Sequence, residues 1–65
     1  MKVYVVEYHN HGLVKVSSEG YRTVEDAQAF IRSRASVWNE LDAWNFIDAA
    51  DHKVMMCIKE VTIKD

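Results

Sequence analysis

Histidine is the residue type with the most chemistry in this chain, and two of its three copies stand one residue apart, in Tyr8-His9-Asn10-His11-Gly12. Neutral imidazole binds zinc, and a structural zinc site takes four donors, which His9, His11, His52 and the single cysteine, Cys57, could supply in number. The spacing does not match a zinc motif, because it lacks the paired CxxC or HxxxH pattern that brings ligands to one side of a turn or helix. An Asn/Gly-containing stretch between two β-prone runs is also the signature of a hairpin tip. His9 and His11 are therefore the metal candidates, and solvated turn histidines are the reading that the spacing favours.

Other catalytic chemistry has less to stand on. Cys57 lies in the apolar run Val54–Ile58, where a cysteine behaves as a small hydrophobe, whereas a reactive thiolate needs an electropositive, partly exposed setting. Ser17, Ser18, Ser33 and Ser36 have no flanking glycines of the nucleophile-elbow kind. Glu25 and Asp26, the adjacent carboxylates, are explained by the start of a helix. Gly12 and Gly20 stand alone, so no phosphate-cradling loop is present. A small-molecule pocket is hard to build from 65 residues that must first fill a core. The expectation is a protein that is not an enzyme and uses no cofactor.

The two tryptophans carry a different possibility. Trp38 and Trp44 lie in a segment that holds Glu40, Asp42, Asp48 and Asp51 and, from Ala35 to His52, no Lys or Arg. Either both indoles pack under the helix, or one is an exposed anchor of the kind enriched at binding hot spots. In the second case the four acids form a rim suited to a partner with a basic surface, helping on-rate and selectivity. Four acids are few for mimicry of a phosphate backbone. Arg32 and Arg34 fall about 200° apart on a helix, so they make no single phosphate-binding patch.

The elements that must position these residues follow from periodicity. Val3, Tyr4, Val5, Val6 and Tyr8 form one β-prone run, and Val14 and Val16 alternate with Lys15 in the next, giving a first hairpin. The period then changes. Thr23 is an N-cap, Glu25 and Asp26 suit the first helical turn, and Val24, Ala27, Ile31 and Ala35 share one face with Phe30 at its edge. Continuing this stripe to Trp38 and Leu41 would place Arg34 within the apolar arc, so the helix should end near Ala35 or Ser36. Residues 37–50 read either as a second helix, on the spacing of Leu41, Trp44 and Ile47, or as the first half of a second hairpin. The alternation Trp44-Asn45-Phe46 favours the hairpin, with Ala50-Asp51-His52-Lys53 as its turn. In the last strand Val54, Met56 and Ile58 share one parity while Val61 and Ile63 take the other, which suggests a β-bulge at Lys59-Glu60.

The assembled expectation is one domain over residues 1–65, of the α+β class. Its arrangement is ββαββ, two antiparallel hairpins in one sheet with a single helix on one face. In that topology the His52 turn lies at the opposite end of the sheet from His9 and His11. Both parities of the first strand are apolar, and Met55 and Cys57 oppose Met56 and Ile58 in the last. A strand apolar on both sides calls for cover on both sides, and one helix supplies half of it. The second cover is expected to be another copy of the chain, giving a homodimer, or a protein partner.

Composition bounds the rest. With 49% hydrophobic residues and no proline, the chain supports one core rather than a disordered tail. One cysteine rules out an internal disulfide framework. No apolar run approaches the length of a membrane span, and the N-terminal run reads as a strand rather than a leader, so a soluble cytoplasmic protein is expected. The net charge of −2 disfavours nucleic acid as the partner.

The layout resembles small single-domain proteins encoded by bacteriophages and prophages. The resemblance rests on a hairpin, a helix opening with a T-x-E-x-A phrase (Thr23-Val24-Glu25-Asp26-Ala27), and a closing hairpin ending in Ile58-Lys59-Glu60-Val61. It spans most of the chain and carries no catalytic residues. It implies a protein that binds and modulates a host protein, in the manner of an inhibitor. The reading that competes with this is a small metal- or ligand-binding protein using His9 and His11.

Overall fold

In a computed structural model, which describes residues 1–17, 19–34 and 37–64, the chain is an α+β fold of six elements. These are β1 (Lys2–Asn10), β2 (Leu13–Val16), α1 (Val24–Arg32), β3 (Trp38–Glu40), β4 (Asn45–Asp48) and β5 (Val54–Thr62). The strands form one antiparallel sheet in the order β2-β1-β5-β4-β3. Its centre is the pairing of β1 with β5, continuous from Lys2↔Thr62 to Asn10↔Val54.

The first hairpin is tighter than the five-residue tip suggests. β1 runs through His9 and Asn10, and the turn is His11-Gly12 alone, with φ of 49° and 89°. A two-residue loop with both residues at positive φ has the twist that matches the flanking strands, and glycine takes that conformation without strain. Beyond β2 the chain stays beside β1. Ser17 donates its N–H to the Val6 carbonyl at 2.8 Å, and Tyr4 and Tyr21 exchange backbone hydrogen bonds of 2.7 Å.

Helix α1 starts as its sequence dictates. The Thr23 hydroxyl accepts the Asp26 N–H at 3.1 Å, and Glu25 and Asp26 occupy the first turn. It stops earlier than the apolar stripe suggests, because Ser33 closes it by donating its hydroxyl to the Phe30 carbonyl at 2.7 Å. Arg34 is thereby released from the helix. The expected end at Ala35 or Ser36, like Ser18, lies outside the described residues. Ala27 and Ile31 are fully buried against Val6, Phe46, Met56 and Ile58, with Tyr4, Tyr8, Tyr21, Val24, Phe30 and Trp38 packed around them.

Three expectations require correction. Residues 37–50 form neither a second helix nor a single strand but a hairpin of their own, β3–β4, so the sheet has five strands where ββαββ has four. The extra strand adds one reversal of chain direction, which moves the turn at residues 49–53 to the other end of the sheet. That turn therefore lies beside the His11-Gly12 turn, with the His11 N–H donating to the Lys53 carbonyl at 3.1 Å. Finally, β5 has no bulge at Lys59-Glu60, since Val5↔Lys59 and Tyr4↔Glu60 pair in unbroken register. The apolar side of β5 changes over there because Met55, Cys57 and Val61 share one face while Met56 and Ile58 share the other.

Candidate interaction surface

Register assigns every strand residue to one of two faces. Tyr4, Val6, Tyr8, Phe46, Met56 and Ile58 belong to the face that meets the helix. The opposite face carries Val3, Val5, Val14, Val16, Ile47, Met55, Cys57 and Val61. Among the described residues no helix or strand layer lies over it. Val14 and Val16 are more than half exposed, at 53% and 57%, and Val61 is also exposed. Alternation along β1 and β5 gives this arrangement directly: each strand is apolar at both parities, so burying one parity under α1 presents the other. Glu7 and Lys59 bring one charge of each sign to this face, on neighbouring strands, since Glu7 pairs with Cys57 and Lys59 with Val5.

Cys57 is on the same face but buried, at 8% exposure, between Glu7 and Asn45. Burial pushes its thiol above its ordinary pKa. At neutral pH it is therefore held in the protonated form, a weak nucleophile.

The histidines are separated by the pleat and the turn. His9 is in β1 on the open face, with Nε2 3.2 Å from the Glu7 carboxylate two residues back. His11, at the turn, places Nε2 2.7 Å from Asp51 Oδ2. The Lys53 N–H and then this His11 contact hold the Asp51 carboxyl below its usual range. Although His52 is in the adjoining loop, among the described residues no group of three or more His, Cys, Asp or Glu is placed to hold a metal ion.

The Trp and acid residues have structural work of their own. Trp38 is half-buried in the sheet against the core, whereas Trp44, in the β3–β4 loop, remains 36% exposed with its ring 5.7 Å from that of Tyr4. Glu40 accepts both Nε and a terminal nitrogen of Arg32, at 2.6 and 3.1 Å, which ties α1 to β3 and holds the Glu40 carboxyl low. Asp42 accepts the Trp44 N–H at 2.7 Å and the Asn45 side-chain amide, and is likewise held low, first by the Trp44 bond. Asp48 accepts the N–H groups of Ala50 and Asp51. These carboxylates sit at the two ends of β4 and close the turns there, as Asp does by bonding its own backbone two residues on. The structure thus brings Trp38 and Asp48 together as paired residues and keeps Asp42 and Trp44 apart from Asp48 and Asp51.

The protein is thus an antiparallel sheet covered by a helix on one face. Comparison with known proteins adds no family to that description: no family model, no curated protein and no solved structure matches the chain. No helix among the described residues is long and apolar enough to cross a membrane.

Proposed function

We propose that the chain is a non-enzymatic protein-interaction module that works through the open face of its sheet, and that the occupant of that face is a second copy of the chain. The observation that carries this reading is the face opposite α1, which presents apolar residues from four strands and is interrupted by His9 and Glu7 on β1 and Lys59 on β5. A two-fold interface apposes the same patch on both subunits. Glu7 and Lys59, of opposite sign on that face, are groups that such a two-fold contact could pair across the axis. A heterologous protein, of the kind that the resemblance to phage-encoded modulators implies, would use the same face in competition with self-association. The raised thiol of Cys57 and the engagement of Glu40, Asp42, Asp48 and Asp51 in turns and an ion pair support binding over catalysis.

Sedimentation over a range of concentrations tests the proposal. The wild type is expected to be dimeric, and Val5→Asp monomeric with an unchanged far-UV circular dichroism spectrum. Leu13→Asp, which places the same charge on the helix side of β2, should leave the dimer intact. A wild type that remains monomeric at about 1 mM, or a Leu13→Asp variant that dissociates as readily as Val5→Asp, overturns the reading.

A further inference from the structure

On the helix side of the sheet, away from the open face, α1 leaves part of the surface uncovered. Its nine residues span about 13 Å, whereas the nine of β1 span about 30 Å. The helix packs over the centre of the sheet. The β2 residues on this side are Leu13 and Lys15, which do not reach the core. What remains is a cleft of about 370 Å³ between the end of α1 and the first hairpin, within the range of small-molecule sites. A pocket is hard to build in so short a chain, and this one forms at the edge of the core rather than within it.

The lining of this cleft is chemically one-sided. Tyr8, Phe30, Trp38 and Met56 supply apolar and aromatic surface, and Lys15 and Arg34 supply two cations. Among the described residues no carboxylate lines it. Neither Lys15 nor Arg34 has an ion-pair partner among the described residues, and Arg34 is held over the ring of Phe30, 5.3 Å from its centroid. Trp38 adds an indole N–H that is shut off from solvent and has no acceptor among the described residues. A buried donor left in that state is costly, and native structures rarely keep one without a reason. Two cations without carboxylate partners beside aromatic surface are complementary to an apolar body that carries an anion. Guanidinium in particular matches a carboxylate through two parallel hydrogen bonds.

We infer that this cleft is a binding site for a small organic acid with an aromatic or aliphatic body. Its carboxylate is taken by Lys15 and Arg34, and its apolar part lies against Tyr8, Phe30, Trp38 and Met56. The site lies mainly on the helix side of the sheet and shares only Val16, on edge strand β2, with the proposed dimer face; Val5→Asp lies outside the cleft, so the two proposals are tested separately.

The test uses 1-naphthylacetate as probe and its neutral counterpart 2-(1-naphthyl)ethanol as control, followed by ¹H–¹⁵N NMR of the full chain. The two indole N–H signals are assigned with Trp44→Phe. Naphthylacetate should shift the Trp38 indole signal saturably with a Kd of about 1 mM or tighter, the affinity reachable by a ligand of this size. Lys15→Gln and Arg34→Gln, both exposed positions whose amide spectra will report intact folding, should each weaken binding by about tenfold, the loss expected for one charge-assisted hydrogen bond. The neutral alcohol should bind correspondingly less well. Absence of a saturable shift, equal binding of the alcohol, or undiminished binding to the Gln variants with intact spectra each overturns the inference. So does perturbation confined to the Val5 and Val14 face.

Discussion

Phe46→Ala is the substitution that most directly probes the assignment of faces. Phe46 is completely buried, paired with Met56 in the sheet and packed within the cluster that includes Ile31 and Ala27. Truncating a buried Phe to Ala removes about 3–5 kcal/mol, from lost transfer free energy and from the cavity left behind. A domain of 65 residues has about 3–10 kcal/mol of stability in total. The variant should therefore be largely unfolded, or fold with a urea midpoint moved far toward zero. Because complete unfolding gives no number, Ile31→Val provides the graded counterpart. Removing one methylene from another fully buried side chain should cost about 0.5–1.5 kcal/mol and leave the urea slope unchanged. Both are read by circular dichroism and tryptophan fluorescence during urea titration, at fixed protein concentration, because dimerisation makes apparent stability concentration-dependent. If Phe46→Ala unfolds at nearly the wild-type midpoint, Phe46 is not in the core. The division of the sheet into a buried and an open face then fails with it.

Gly12→Ala isolates backbone conformation from packing. At φ 89° a Cβ added there meets nothing within 4 Å, so the expected loss of about 1–2 kcal/mol is pure left-handed strain, measured as a shift in urea midpoint. The carboxylates of Glu40, Asp42 and Asp51 are all depressed by hydrogen bonds that exist only in the folded state. Unfolded, they titrate near pH 4. The stability they contribute is present in full above that range and is lost as pH falls through their lower folded values. Urea midpoints should accordingly decline below about pH 4, and Asp42→Asn, which keeps a carbonyl for the Trp44 N–H but cannot titrate, should flatten that decline.

How much of this was legible in the sequence depended on whether local chemistry marks an element. Asn10 and Gly12 between alternating Val residues announce the first hairpin, and Thr23 with Glu25 and Asp26 announces the helix, so both were readable. The open face was readable too, because β1 and β5 are apolar at both parities. β3 was not. Trp38-Asn39-Glu40 is too short to display a period, and no Gly or Pro marks the loop after it, since Asp42 closes that turn with its side chain instead. Missing β3 inverted the predicted direction of everything up to β5, which is why His52 was expected far from His11. The cluster of acids that reads as a partner rim consists largely of turn closers, and the signal for that role was present: Asp42 stands two residues before Trp44, Asp48 two before Ala50, and Asp51 two before Lys53. The cleft beside α1 had no signature in the sequence, because it arises from the mismatch between a nine-residue helix and a nine-residue strand that must share one face.

The pairing of β1 with β5 has a consequence for the time order of folding. The central ladder pairs β1 with β5, and their backbones meet at Met1 and Ile63, 62 positions apart in sequence. The two outer hairpins, β1–β2 and β3–β4, close short loops and can form early, but neither has a neighbour in the sheet until β5 enters between them. Contacts so distant in sequence slow folding, because the loop must be closed before they are gained. Until then β1 and β4 each expose an unpaired edge beside apolar side chains. The sheet is therefore continuous only once β5 has paired with both β1 and β4.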